Sequence, residues 1–404
     1  MNVSAQTGEE VTGPEYPVKR STFLKDVLIC SLGAYGGPEA HYSVFLDQLV
    51  TRKTYLTENE LVELIALCSI LPGPTSTQTI VAVGHKTGGP LLAFLSLLVW
   101  ALPVLTAMTA LSFLYQFLAA REISDDILRF IGPMAVGFII VATFRIGKKV
   151  VNDNTTALLL IFGAVTTWFL RDPWIFPVVL ITGGLISILV SRESGIWNRV
   201  RLNPPWRYFI IFAAVAFCAL IVAGVSDNRI VQLFEHFYRY GYLVFGGGQV
   251  VVPLIHTELV QIREYLSNEE FLTGYGLVQG LPGPMFSFAA YAGGMAARDG
   301  TVLLQIGGAL AGGIGIFLPG LLLIYFVYPV WEQLKQIHAI RISLKGINAV
   351  AGGLIASAAI ILMQASGFQP ENIIAVLISV ILLASGKIPA PLIVVAALVA
   401  GVFV

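Results

Sequence analysis

The sequence has 404 residues, 56% hydrophobic and 12% charged, and its 24 basic and 24 acidic side chains cancel. Soluble domains carry roughly 25% charged residues, so this chain has too little polar surface to coat a soluble globule, and the lipid bilayer is the expected partner of its apolar faces. With no basic block, nucleic acid is excluded as a partner.

Residues 1–21 are polar, hold Pro14 and Pro17 and contain no apolar signal-peptide core, so they read as a cytoplasmic tail. Apolar spans follow, close to the roughly 20 residues that cross a bilayer core. In a first unit, 22–195, they fall at 23–46, 60–83, 89–117, 127–148, 155–170 and 174–191. A linker, 196–229, carries one more at 207–225. A second unit, 230–404, gives 231–254, 269–293, 302–328, 342–363, 371–384 and 388–404. The expected fold is all-α: a polytopic membrane protein of about thirteen transmembrane helices. Cys30, Cys68 and Cys218 are far apart and sit in or beside apolar runs, so they read as small buried residues rather than a disulfide or metal set.

The two units are repeats of each other. Without a gap, Gly36-Gly37 aligns with Gly246-Gly247, Tyr55-Leu56 with Tyr265-Leu266, Glu60 with Glu270 and Leu71-Pro72-Gly73-Pro74 with Leu281-Pro282-Gly283-Pro284. Equivalent spans then lie an odd number of crossings apart, which predicts inverted-topology repeats with broken helices. With the N-terminus in the cytoplasm and the C-terminus outside, three basic clusters lie inside, as membrane proteins prefer. They are Arg145/Lys148/Lys149, Arg192/Arg199/Arg201/Arg207 and Lys335/Arg341/Lys345. Arg52 and Lys53 fall on the wrong side of that arrangement.

Leu-Pro-Gly-Pro stands once in each unit, inside an apolar span. Two prolines around a glycine break a helix, and broken backbone at membrane depth survives only inside protein or against a cavity. The helix that restarts there offers free amides and a positive dipole end to an anion. Pro72, Gly73 and Pro74 are followed by Thr75, Ser76, Thr77 and Gln78, all hydrogen-bonding; Pro282, Gly283 and Pro284 are followed by Met285, Phe286 and Ser287. One such break is as readily a packing kink, but two at equivalent places point to a substrate site. The glycines Gly36, Gly37, Gly246, Gly247 and Gly248 mark a second broken element, beside which His41 and Gln249 could donate to a ligand. Glu39, Glu60 and Glu270 are candidate ion-coupling carboxylates, with a proton as the candidate coupling ion; Glu60 and Glu270 follow Thr57 and Ser267 by three residues, which is also a capping-box pattern. Nothing forms a nucleotide-binding loop or a metal cluster, so no enzyme, cofactor or metal is expected.

The strings Tyr35-Gly36-Gly37-Pro38-Glu39-Ala40-His41, Leu71-Pro72-Gly73-Pro74, Phe245-Gly246-Gly247-Gly248-Gln249, Leu281-Pro282-Gly283-Pro284 and Phe317-Leu318-Pro319-Gly320 resemble the chromate transporter family in its long, two-domain form. Tyr35 stands where that family usually has Phe, and Ser69-Ile70 where a Gln is common. The resemblance implies export of chromate, a tetrahedral dianion, across the inner membrane. Sulfate or another oxyanion, a passive anion channel on the same scaffold, and a homodimer stay open.

Overall fold

The computed structural model describes residues 18–121, 124–172, 174–191, 193, 202–245 and 248–403. The tail 1–17, Arg192, Arg199, Arg201, Gly246 and Gly247 lie outside the described residues, as does the side chain of Glu39. Among the described residues there is no strand.

The first repeat runs α1 (Arg20–Gly33), α2 (Pro38–Phe45) continuing into a π-helical stretch Leu46–Arg52, α3 (Glu58–Ile70), α4 (Thr75–Ala119), α5 (Ser124–Ile127), α6 (Ile131–Val150), α7 (Asn154–Phe169) and α8 (Ile175–Val190). After α9 (Trp206–Val225), the second repeat runs α10 (Arg229–Leu243), α11 (Val251–His256) continuing into a π-helical stretch Thr257–Ile262, α12 (Asn268–Gln279), α13 (Phe288–Ala296), α14 (Val302–Val327), α15 (Trp331–Leu334), α16 (His338–Ser366), α17 (Pro370–Ser385) and α18 (Ala390–Phe403). Every main element of the first repeat has its counterpart in the second, π-helical stretch included.

Four of the expected spans do not run through. In 23–46, Asp26 on α1 accepts from Gln48 Nε2 at 2.8 Å and from the Tyr55 hydroxyl at 2.5 Å, and the Phe23 and Tyr55 rings lie 5.1 Å apart. The chain beyond α2 therefore returns along α1, as a hairpin with its tip at 34–37. In 60–83, Lys86 Nζ beyond the break reaches back to Glu60 at 2.7 Å, so α3 and the start of α4 form a second hairpin with its tip at 71–74. The second repeat does the same. Arg239 on α10 reaches Glu258 on the returning arm, so 231–254 is a hairpin. Arg298 reaches Glu270 at 3.0 Å, so 269–293 is another.

The glycines cause the reversals. Gly36, Gly37, Gly73 and Gly283 sit at φ 87°, 95°, 118° and 104°, where a side chain is strained. The arms are also short: the 14 residues of α1 reach about 21 Å at 1.5 Å per residue, less than the ~30 Å core. The expected count was thirteen transmembrane helices. Five helical stretches are long and apolar enough to cross a membrane, Thr75–Ala119, Ile131–Val150, Trp206–Val225, Val302–Leu334 and His338–Ser366, with shorter apolar helices at α7, α8, α17 and α18. Inside α4, Gly88 and Gly89 leave helical geometry just before Pro90, which separates the hairpin arm from the long helix at the boundary expected between 83 and 89.

Outside the hairpins the repeats interlock. Helix α6 packs on α17, and α16 packs on α6, α7 and α8. At the crossing of α8 and α16 a Cβ on Gly346 would stand 2.1 Å from the Gly183 carbonyl, so only paired glycines allow that approach. Helix α9 has no buried residue and leans on α10 and α14. Its apolar surface, with Phe144 and Leu189 elsewhere, belongs against lipid.

Candidate substrate site at the hairpin tips

The four tips converge at the centre of the molecule. Gly73 N–H donates to the Val244 carbonyl at 2.7 Å, and Gly283 N–H donates to the Ala34 carbonyl at 2.8 Å. These bonds are equivalent under the repeat: each Leu-Pro-Gly-Pro tip is tied to the glycine tip of the other half. Pro74 and Pro284 are buried there, whereas Pro72 and Pro282 stay partly exposed.

Helix α4 begins at Thr75 with Pro74 as its N-cap and no side chain capping it. Its first intrahelical bond runs from Gln78 N–H to the Pro74 carbonyl. The amides of Thr75, Ser76 and Thr77 are therefore the unsatisfied first turn, at the positive end of the helix. His41, 2% exposed, comes from α2 and places Nδ1 3.0 Å from Ser76 Oγ. Trp100, within α4, donates Nε1–H to Thr77 Oγ1 at 3.1 Å and stands edge-on to His41 at 5.4 Å. Ser31 Oγ holds the Trp100 carbonyl at 2.7 Å. Gln78 closes back on the tip, its Nε2–H donating to the Pro72 carbonyl at 2.8 Å, and its buried Oε1 has no partner.

At the start of α4 lies a cavity of about 10 Å³ bounded by Gly37, His41, Pro74, Thr75, Ser76 and Thr77 from the first half and Pro284, Met285 and Phe286 from the second. It holds on the order of one water molecule. No Lys or Arg lines it among the described residues. The second half makes a neighbouring cavity of similar size from Val251, Val252, Ile255, Tyr275, Met285, Phe286, Phe288 and Ile316. Val251 stands where His41 stands in the first half, and Met285 and Phe286 where Thr75 and Ser76 stand. The polar and the oily cradle thus face each other across Met285 and Phe286.

The remaining sequence candidates have these places. Gln249 accepts a short hydrogen bond from the Tyr275 hydroxyl, beside the apolar cavity. Ser287 is fully buried and its hydroxyl has no partner. Gly36 and Gly37 form the first tip, Gly248 opens the turn before α11, and Gly246 and Gly247 lie outside the described residues. Glu60 accepts from Thr57 N–H at 2.8 Å and from Lys86, and Glu270 accepts from Ser267 N–H at 2.7 Å and from Arg298. Both cap a helix and tie two arms together at the base of a hairpin, far from its tip. Arg145 donates to the Leu383 carbonyl at 2.9 Å, also outside the cavity. Sequence reasoning missed Trp100 and Ser31, whose signal was slight: an indole and a hydroxyl in uncharged apolar runs, with no spacing that relates them to His41.

A family model described as chromate transporter matches the chain twice, over residues 22–189 and 231–402. The chain is 29% identical to the chromate transport protein of Pseudomonas aeruginosa, over 89% of this chain and 84% of that one. It is 26% identical to the probable chromate transport protein of Synechococcus elongatus over 96% of each, and 23% identical to the chromate transport protein of Cupriavidus metallidurans over 98% and 95%. No solved structure matches the chain.

Proposed function

The chain belongs to the chromate transporter family, and from that premise we propose that it is a secondary-active exporter of chromate, with its substrate site at the start of α4. One observation carries the reading. An uncapped helix N-terminus, the Ser76 hydroxyl and His41 converge on a buried cavity between the two repeats. Amides at a positive helix end and small donors can replace the hydration shell of a tetrahedral dianion. The same chemistry would take sulfate, and the test below compares the two.

The cavity is smaller than such an anion, so this is a closed form, and access requires the tips to part. A closed centre joined by two backbone hydrogen bonds supports alternating access over a passive channel. If hairpins do not cross, the crossings are α4, α6, α7, α8, α9, α14, α16, α17 and α18. Equivalent helices are then five steps apart, and the repeats are inverted. Contacts near the ends agree: Lys335 meets Glu63 at 3.2 Å, and the Arg145–Leu383 bond joins two ends on the same side. With the N-terminus in the cytoplasm, Arg52 and Lys53 return to the cytoplasmic side, where positive charge belongs. The C-terminus then lies outside, in the cell membrane.

The experiment is chromate and sulfate counterflow into proteoliposomes. Ser76→Ala and His41→Ala each remove a contact to a charged ligand, worth about 1.5–3 kcal/mol. The half-saturating chromate concentration should rise about ten- to a hundredfold. Unchanged saturation in both variants would remove the site from this cavity.

A further inference from the structure

A second buried polar centre lies away from the tip cavity. Arg239 on α10 sits between two carboxylates and bonds all four oxygens. Nε and Nη2 donate to Glu235 at 2.6 and 3.2 Å, and Nη1 and Nη2 donate to Glu258 at 3.0 and 2.8 Å. His236 Nε2 lies 3.4 Å from Glu258 and 3.6 Å from Glu235. All four residues are at most 6% exposed. Tyr240 packs against the group, its ring centroid 5.6 Å from Arg239 Cζ and its buried hydroxyl facing Glu258, and His236 Nδ1 has no hydrogen-bond partner.

The charges do not cancel. Two carboxylates and one guanidinium leave one negative charge when His236 is neutral, and none when it is protonated. A net charge inside a membrane protein is costly, and intramembrane ionisable residues mark function more often than structure. Other groups facing the cluster are few. Tyr242 lies on the same helix, Arg263 follows the π-helical stretch, and Trp174 at the start of α8 covers Arg239 at 5.4 Å. Helix α14, the main neighbour of α10, carries no charged side chain, and α9 carries only Arg207 near its far end.

The location ties the cluster to the tip. Glu235, His236 and Arg239 belong to the outgoing arm of a hairpin and Glu258 to the π-helical stretch of the returning arm. Between them stands the tip, whose Val244 carbonyl holds Gly73. In the first repeat the positions of His236 and Glu258 are taken by Asp26 and Gln48, bonded at 2.8 Å, with the Tyr55 hydroxyl and Lys53 completing the group. Both hairpins are thus clamped at the same point, but only the second has a histidine between carboxylates.

We propose that Glu235, His236, Arg239 and Glu258 form a one-proton site, on the arms of a hairpin whose base lies at the outer face in the arrangement above, whose occupancy sets how readily this hairpin's tip releases its partner and so how fast the substrate moves. Protonated, the cluster is balanced and clamps the arms. Deprotonated, its uncompensated charge loosens them. The inference rests on the transport reading above, and the test separates the two.

Chromate counterflow is measured with the wild type and two variants while only the outer pH is changed, between about 4 and 8, a window that brackets the charge change of a free histidine and extends below it. Wild-type counterflow at any single pH tests transport itself; without it, the transport reading fails. Given transport, the wild-type rate should rise severalfold as the outer side becomes alkaline. His236→Gln cannot take the proton and should run at the alkaline rate throughout. Glu235→Gln, on the same arm as Arg239, removes the excess charge while keeping the Arg239–Glu258 tie between the arms, and should hold the acid rate at alkaline outer pH. A wild-type rate indifferent to outer pH overturns the proposal whatever the variants do. So do variants that keep the wild-type profile, and variants that lose all counterflow while eluting and melting as the wild type does, because the cluster is then a structural staple.

Discussion

At Gly73, conformation and crowding act together. Its φ of 118° suits glycine, and an added Cβ would meet Gln78 Nε2 at 3.1 Å and the Gly241 carbonyl at 3.2 Å. Gly73→Ala should cost about 1–3 kcal/mol through backbone strain, seen as a lower melting temperature in detergent. Because the same residue donates to Val244, chromate counterflow should fall as well. A variant with wild-type melting and transport would show that the tip is slack. The residues of the polar cradle were legible because four hydrogen-bonding side chains follow Pro74 in a row. Their partners were not. His41 was named from its place beside the Gly36-Gly37 break, but its pairing with Ser76, and the approach of Trp100 and Ser31, arise only through the fold, and Glu258 joins Arg239 only because its arm turns back.

Elements tell a different story about legibility. The breaks at 34–37, 71–74 and 281–284 could be placed from glycine and proline alone, and the capping boxes at Thr57 and Ser267 were visible as Thr and Ser three residues before Glu. Direction was not visible. A run of two dozen apolar residues looks the same whether it crosses the bilayer or doubles back at its midpoint, since both arms face protein and lipid alike. Arm length and the positive φ of the tip glycines decide it, and only the second is a property of backbone geometry. The capping box of α3 also anchors the hairpin base, because Glu60 serves Thr57 and Lys86 at once. Thr57→Ala should destabilise the protein by about 1 kcal/mol, read as a modest drop in melting temperature with the half-saturating chromate concentration unchanged.

On the scale of the whole molecule, duplication was legible in full, and the inverted sense proposed for it comes from counting. Inverted hairpins make a sharp expectation for equivalent positions. In a background lacking the exposed Cys218, Arg52→Cys should react with an impermeant thiol reagent from the cytoplasmic side and Ile262→Cys from outside. Labelling of both from one side would refute the inversion. The interlocking of α6 with α17 and of α16 with α7 and α8 has its own test. Residues 1–204 and 205–404, expressed as separate chains, should be recovered as one complex in mild detergent.

The two bonds that join the tips, Gly73 to Val244 and Gly283 to Ala34, are made wholly from main chain. Side chains on either side are therefore free to diverge without undoing the seam. One copy of an ancestral unit has filled its share of the centre with hydroxyls and an imidazole, the other with methionine and phenylalanine. On the reading proposed above, duplication divides labour: one half keeps the vocabulary for a charged cargo, and its twin sets an oily face against it.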